Sequence, residues 1–184
     1  MQPTLLKVDL SQLLIVDVQT RLIGVMPEAD VAGCLKQSGI LAQAAALLAV
    51  PIILTEQYPK GLGHTDPLLM AHLTGVLPVE KTAFSCLAEA KVKRQLSRDR
   101  SQIVLAGMEA HICILQTALD LMAAGKQVFV AEDAIISRSP SNKANAVARM
   151  QAAGCIISNT ESIVFDWLGR AEGDAFKKIS QLIR

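Results

Sequence analysis

Short runs of residues that are apolar at nearly every position recur along this chain and alternate with longer helix-like segments. The runs are residues 13–16, 51–55, 76–80, 102–106, 127–131 and 155–158. Runs without polar alternation are typical of strands covered on both faces, and hence of a parallel sheet. The longer segments, which predict helices, are residues 32–49, 86–96, 112–124, 141–153 and 174–183. The alternation predicts an α/β protein with right-handed crossovers, arranged as a three-layer α/β/α sandwich.

Two kinds of residue mark the ends of the predicted helices. Gly125 and Gly154 each follow a helical segment, where a left-handed residue commonly ends the helix. Ser141 follows Pro140 and is expected to be the N-cap of the helix after it.

The composition predicts a globular protein and excludes several kinds of partner. The chain has 184 residues, of which 51% are hydrophobic and 19% charged, which predicts one domain over residues 1–184 and excludes intrinsic disorder. Its formal net charge of +1 lacks the basic excess that binding to nucleic-acid phosphates needs, so no nucleic-acid partner is expected. The high apolar content favours a homo-oligomer, a dimer or larger, with an apolar interface.

The apolar segments are too short for a membrane span. The longest, residues 44–54, is interrupted by Pro51 and falls well below the ~20 residues that a spanning helix requires. The first twenty residues show no basic region followed by a long apolar segment, which an export signal would have. We therefore expect no membrane partner and a cytoplasmic location.

The cysteines and histidines do not have the spacing of a metal site. None of the four cysteines forms a C-x-x-C pair, and the default for such residues is a free thiol in a reducing cytoplasm. The pattern Gly61-Leu62-Gly63 begins like a dinucleotide fingerprint, but Asp66 stands in place of the third glycine. We therefore expect neither a metal nor a nicotinamide or flavin cofactor.

Chemically versatile side chains follow the predicted strands where they end. Asp17 closes the first strand, Lys81 follows the third, and Cys113 lies in the first turn of the helix after the fourth. In open α/β sheets, ligands bind beyond the carboxyl ends of the strands. The sequence therefore predicts that a carboxylate, an ammonium and a thiol share one edge of the sheet.

Each of these residues also has a purely structural interpretation. A free cysteine is commonly a small core residue, an aspartate at a strand end commonly caps a turn, and a lysine is commonly solvated. Asp17 is nevertheless costly to bury unless it is neutralised, and Lys81 beside it would keep it ionised. The helix N-terminus and Lys81 would both favour a thiolate at Cys113. His111 lies too close to Cys113 in sequence to serve easily as its base, and Cys34, Cys86 and Cys155 are interpreted as structural.

Successive sequence blocks resemble the isochorismatase-like cysteine hydrolases, and in particular the small single-domain isochorismatase domain-containing branch. The resemblance covers about residues 10–165 and keeps the family order. The blocks are residues 14–19 (LIVDVQ), 55–63 (TEQYPKGLG), 80–85 (EKTAFS), 107–118 (GMEAHICILQTA) and 131–134 (AEDA).

The resemblance implies a fold and a set of catalytic roles. It implies a six-stranded, mostly parallel, Rossmann-like sheet of order 3-2-1-4-5-6 and a catalytic triad of Asp17, Lys81 and Cys113. It also implies a cis peptide joining Met108 to Glu109, with the backbone amides of Glu109 and Cys113 forming an oxyanion hole. Nicotinamidases of this superfamily carry a metal-binding Asp-x-His after the second strand, where this chain reads Glu56-Gln57-Tyr58, so no metal and no nicotinamidase activity are expected.

The expected function is hydrolysis of an amide-like C–N bond in a small molecule through a Cys113 thioester. Gln19, Gln57, Phe84 and His111 are expected to line the substrate pocket, with Phe84 as its apolar wall. Two alternatives stay open: an idle binding or scaffold protein that keeps the triad, and a redox-sensing thiol, although no resolving cysteine lies nearby in sequence.

Overall fold

The computed structural model describes residues 5–183 and contains a six-stranded sheet in the order 3-2-1-4-5-6. Every pair of neighbouring strands is parallel. This confirms the α/β class and the strand order expected from the resemblance. The strands are β1 (Ser11–Val16), β2 (Ile52–Gln57), β3 (Val79–Lys81), β4 (Gln102–Met108), β5 (Gln127–Ile136) and β6 (Ile156–Ser158).

Helices connect the strands and cover both faces of the sheet. The α-helices are α1 (Thr20–Ile23), α2 (Glu28–Leu47), α3 (Pro59–Leu62), α4 (Pro67–Met70), α5 (Ala90–Gln95), α6 (Leu115–Ala123), α7 (Pro140–Ala152), α8 (Thr160–Leu168) and α9 (Gly173–Ile183). Short 3₁₀ segments span Val8–Leu10 and Cys86–Ala88, and a π-helical segment spans Ala110–Ile114.

The apolar β1 explains the three layers. Its side chains alternate between two hydrophobic clusters: Leu13 and Ile15 pack in one, and Leu14 and Val16 in the other. The first cluster includes side chains from α2, α8 and α9, and the second includes side chains from α5, α6 and α7. Both faces of the strand are therefore buried, as a run with no polar alternation predicts.

The structure differs from the sequence prediction at several element boundaries. The third strand covers Val79–Lys81 rather than residues 76–80, and β5 continues past residue 131 to Ile136. Helix α8 was not predicted; it begins where the side chain of Asn159 accepts a hydrogen bond from the amide of Ser162. The N-cap of α7 is Ser139 with Pro140 at its first position, so the assignment of Ser141 as N-cap was wrong.

The predicted left-handed glycines are confirmed. Gly125 has a φ of 80° and Gly154 a φ of 99°, each just beyond a helix end. Within residues 5–183, none of the helices has the length and apolar character needed to cross a membrane.

Candidate active site

Asp17 lies at the carboxyl end of β1, at the centre of the sheet, and its side chain is fully buried. It has a left-handed backbone conformation, with a φ of 53°. One carboxylate oxygen, Oδ1, accepts a hydrogen bond of 2.7 Å from the Thr55 hydroxyl. The other, Oδ2, lies 2.6 Å from Nζ of Lys81. The carboxylate is thus held on both oxygens by groups from two other strands.

Lys81, the last residue of β3, brings its ammonium into the same buried space. Its side chain is fully inaccessible to solvent. Besides Asp17, its Nζ contacts Gln57 Oε1 at 2.6 Å, the carbonyls of Ala83 and Phe84 at 3.1 Å each, and Cys113 Sγ at 3.7 Å. These contacts fix the ammonium between the carboxylate and the sulfur.

Cys113 lies on the π-helical segment between β4 and α6, and its side chain reaches the same ammonium. The residue is 6% exposed, so its sulfur is almost completely covered. The peptide joining Met108 to Glu109 just before this segment is cis, as the resemblance implied. The Glu109 carbonyl accepts hydrogen bonds from the amides of Ile112 and Ile114, which flank Cys113.

Gly107 lets the segment that carries Cys113 approach the end of β1. Its φ is 119°, and a Cβ placed there would lie 2.0 Å from the carbonyl oxygen of Val16, the residue before Asp17. Only a residue without a side chain fits this conformation and this contact. The end of β4 is thereby placed directly beside the carboxylate.

The protonation properties of the three groups follow from burial and from each other. Burial raises the pKa of Asp17 above its ordinary value, although Lys81 and Thr55 oppose the shift. Burial lowers the pKa of Lys81, but the Asp17 and Cys113 charges outweigh it, and the net shift is upward. Burial and the Asp17 charge raise the pKa of Cys113 to about 12. Burial and the Asp17 charge therefore act against the thiolate that the helix N-terminus and Lys81 would favour.

The two glutamines expected to line a pocket are engaged in holding the site together. The Gln57 side chain bridges the Lys81 ammonium and the carbonyl of Thr82. Gln19 is fully buried and bonds only backbone: it donates to the carbonyls of Gln57 and Gly63 and accepts from the Gln57 amide. The Gln19 amide group thus ties β2 to the loop after it, and contact of this residue with a substrate stays a prediction.

Phe84 and His111 lie at the periphery. Phe84 is 53% exposed and contributes its carbonyl to Lys81. The His111 ring contacts Ser137 Oγ at 3.0 Å and Asn142 Nδ2 at 3.4 Å, away from the ammonium and carboxylate. Beside it, the buried Glu109 carboxylate accepts from the amide and Nε of Arg138.

Sequence reasoning missed two residues next to the carboxylate, Thr55 and Cys86. Thr55 is paired with Val16 in the register of β1 and β2, so its hydroxyl lies beside Asp17. The Sγ of Cys86 lies 3.8 Å from that hydroxyl, and burial raises the pKa of this thiol to about 11. No sequence signal identifies Cys86, because its position depends on how the 3₁₀ segment packs on the sheet.

The side chain near β2 that could bind a metal is already hydrogen-bonded within this chain. Glu56, at the place where nicotinamidases carry their metal-binding motif, accepts from the amide and hydroxyl of Thr65 and contacts His64 Nδ1 at 3.0 Å. Across residues 5–183, no three histidine, cysteine, aspartate or glutamate side chains lie close enough to hold a metal ion together.

A sequence model of the isochorismatase domain matches residues 11–162. Isochorismatase domain-containing protein 2 of Bos taurus is 40% identical over 144 residues, which are 78% of this chain and 70% of that protein. The range matched by the family model includes the positions of Asp17, Lys81 and Cys113.

Solved structures show the same fold. MAR1 ribonuclease from Caenorhabditis elegans superposes with a TM-score of 0.92 at 33% identity, covering 98% of this chain and 92% of that one. The YcaC gene product of Escherichia coli, described as an octameric hydrolase of unknown specificity, superposes with a TM-score of 0.89 at 19% identity, covering 99% and 92%.

Proposed function

The chain belongs to the isochorismatase family, and from that premise we propose that residues 1–184 form one hydrolase domain that cleaves an amide-like C–N bond of a small molecule. In this proposal Cys113 is the nucleophile, Asp17 the general base and acid, and Lys81 the group that holds both in place. The reaction uses no metal and no organic cofactor.

The observation that carries the proposal is the chain of contacts from Asp17 through Lys81 to Cys113, at 2.6 and 3.7 Å. Three groups from separate strands and loops meet in this buried space. An ion pair with a purely structural role would need only Asp17 and Lys81, and the sulfur of Cys113 would have no part in it. Nucleophile, base and orienting group within contact distance are the pattern of covalent catalysis.

The first step transfers one proton and forms one bond. The raised pKa of Asp17 makes its carboxylate a stronger base, and the pKa of Cys113 near 12 keeps the thiol protonated until substrate arrives. As the sulfur attacks the carbonyl carbon, its proton passes to Asp17, and the carbonyl π electrons move to the oxygen. Lys81 stays protonated, and its positive charge balances the negative charge that moves from Asp17 to the substrate oxygen.

The remaining steps release the amine and regenerate the thiol. We propose that the backbone amides of Glu109 and Cys113 donate to the oxyanion, each contributing about 3–4 kcal/mol of transition-state stabilisation. The C–N bond then breaks, and Asp17 returns its proton to the departing amine, leaving a thioester on Cys113. A water molecule, deprotonated by Asp17, attacks the thioester; the acid is released and the proton returns to the sulfur.

The proposed substrate pocket lies on the solvent side of Cys113. Phe84, with its exposed ring, supplies an apolar wall, and His111 and Gln57 border the opening. Gln19 supports the pocket through the β2 loop that it ties down.

The name of the nematode structure raises the question of ribonuclease activity. A net charge of +1 gives little electrostatic attraction to an RNA backbone, and a buried thiol beside a carboxylate suits acyl chemistry better than phosphate chemistry. We therefore do not extend ribonuclease activity to this chain.

The second candidate function is an idle scaffold with the same geometry. The near-complete burial of Cys113 favours it, because a cysteine that is 6% exposed needs movement of the surrounding loops before a substrate can reach its sulfur. We further propose that the chain forms a homo-oligomer. The YcaC gene product, which has the same fold, is described as an octamer.

The decisive experiment is a screen of small amides and ureido compounds with intact-mass detection of an adduct. The wild-type chain should release amine and carry a transient acyl mass on the Cys113 peptide. Cys113→Ala should lose both while unfolding at the same temperature, and Cys155→Ala, the matched control at another buried thiol, should keep both. Turnover that survives in Cys113→Ala overturns the nucleophile assignment; no turnover and no adduct in any protein favours the scaffold.

A further inference from the structure

A groove of about 890 Å³ lies along α2, on the sheet face that this helix covers. One wall is a stripe along α2 that includes Glu28, Ala32, Leu35 and Lys36, and the opposite wall includes Leu68. None of the proposed catalytic residues lines it. The groove therefore needs an explanation independent of the hydrolase chemistry.

The groove presents apolar side chains to solvent. Leu68 is 69% exposed, and Val25, next to two lining residues, is 57% exposed. Exposed apolar groups clustered around a concavity mark interaction sites more often than isolated ones do. This surface is suited to contact with another protein rather than to water.

Two opposite charges lie on this surface without a partner in the part of the chain that is described. Glu28 and Lys36 belong to none of the ion pairs among residues 5–183. They are eight residues apart on one helix, about 12 Å along its axis. The short side chain of Ala32 lies midway between them.

This spacing is self-complementary. Residues four apart share a helix face, so Glu28, Ala32 and Lys36 lie on successive turns of one side. If a second copy of α2 crosses antiparallel with a twofold axis at Ala32, Glu28 of each copy lies opposite Lys36 of the other. Such reciprocal pairing is what a twofold interface requires, and the small Ala32 allows the two helices to approach closely.

We propose that this groove is the contact surface for a second copy of the chain, in a twofold dimer whose axis passes Ala32. It refines the homo-oligomer of the proposed function. The test of this dimer measures the mass of the assembly and not catalysis. Its outcome is therefore independent of whether the chain is a hydrolase.

Charge reversal tests the pairing. Sedimentation equilibrium of the full chain should show a dimer or an even-numbered assembly in wild type. Glu28→Lys or Lys36→Glu should each weaken the α2 contact on the order of tenfold, because two attractive pairs become two repulsive ones. The double variant, Glu28→Lys with Lys36→Glu, should restore the mass. Asp30→Lys, on the opposite side of α2, is the matched control and should leave the mass unchanged.

A lysine in the first turn of α2 also opposes the helix dipole, so the melting temperature of each variant is recorded. The double variant carries the same lysine, and recovery of its mass isolates the pairing from this cost. Single reversals that leave the assembly intact, or a wild-type chain that is monomeric at 100 μM, overturn the proposal.

Cross-linking tests the position of the axis. In Ala32→Cys the two introduced thiols face each other across the axis and should form a disulfide-linked dimer under a mild oxidant such as diamide. Asp30→Cys should not cross-link. Equal cross-linking of both variants, or none in Ala32→Cys, contradicts an axis at this residue.

Discussion

The hydroxyl of Thr55 donates a hydrogen bond of 2.7 Å to Oδ1 of Asp17, the carboxylate oxygen that does not face Lys81. Both side chains are fully buried. A hydrogen bond to an ionised acceptor favours the ionised form. Thr55 therefore supports the proposed base in two ways: it orients the carboxylate, and it limits the rise of its pKa that burial causes.

Replacement of Thr55 by valine should change the pH dependence of the site. Thr55→Val removes the hydrogen bond without changing the shape, so the pKa of Asp17 rises further and the acid limb of Cys113 reactivity moves up by about one pH unit. The measurement is the rate of acrylamide addition to Cys113 against pH, read by peptide mass. Thr55→Ser, which keeps the hydroxyl, should retain the wild-type profile; an unchanged limb in Thr55→Val would mean that Asp17 does not control the thiol.

Removal of Lys81 alone should be far more harmful than removal of the pair. Lys81→Met leaves the buried Asp17 without its cation, at a cost of about 3–5 kcal/mol in the free energy of unfolding. Because the folded pKa of Asp17 then rises, the folded chain holds that proton to higher pH than the unfolded chain, so the loss should be greater at pH 8 than at pH 5. Urea unfolding at both pH values measures it.

The combination Asp17→Asn with Lys81→Met provides the control. With no charge left to bury, it should regain most of the lost stability while remaining inactive. A double variant as unstable as Lys81→Met would indicate that lost packing, and not the unpaired charge, is the cause.

Gly107 should tolerate no side chain. In Gly107→Ala the new Cβ meets the Val16 carbonyl oxygen at 2.0 Å, so β1 and β4 must move apart, and we expect a loss of more than about 3 kcal/mol or failure to fold. Gly75→Ala is the matched control, because it has a positive φ of 78° but nothing within 4 Å of the added Cβ. It should cost only about 1–2 kcal/mol. Thermal unfolding of the two variants separates crowding from conformational strain.

The buried thiols should make the fold sensitive to alkali. Burial raises the pKa of Cys34 from 9.0 to about 11, so the folded chain keeps this proton where the unfolded chain loses it. Stability should therefore fall as pH rises from about 9 to 11, by up to about 1.4 kcal/mol per pH unit for this group. Cys34→Ala should flatten the plot of unfolding free energy against pH in that range, whatever its stability at pH 7. A slope identical to that of wild type contradicts the assignment.

The sheet was predictable because its signal is local. A strand buried on both faces is typically apolar, and residues 13–16 of β1 meet that condition up to the carboxylate of Asp17. The start of the strand is not marked in this way, because its first two residues, Ser11 and Gln12, are polar and yet buried. The longer β5 was not predictable, since Glu132 and Asp133 interrupt its apolar run while the backbone stays extended. The start of α8 depends on Asp133, whose carboxylate accepts from the amide and hydroxyl of Thr160, a contact between segments that spacing does not reveal.

Some features of the candidate site could likewise be predicted from the sequence, and others could not. Asp17, Lys81 and Cys113 were predictable together because parallel strands present their carboxyl ends at one edge. The upward shift of the Cys113 pKa was not, because it depends on how completely the residue is buried and how close the carboxylate lies. The supporting role of Gln19 was equally inaccessible, since it depends on the path of the loop that ends at Gly63.

All six strands run in one direction, so no two neighbours can be joined by a tight hairpin, and each new strand is added only after the chain has travelled back across the sheet. The acid, the ammonium and the sulfur consequently reach their common edge on separate crossover units. During synthesis, a nascent chain that ends before β4 holds the first two and lacks the third. Before β4 joins the sheet, Cys113 lacks the burial and the Asp17 charge that raise its pKa, so its thiol ionises nearer the ordinary value. A thiol reagent at mildly alkaline pH should therefore label incompletely folded chains ahead of finished ones.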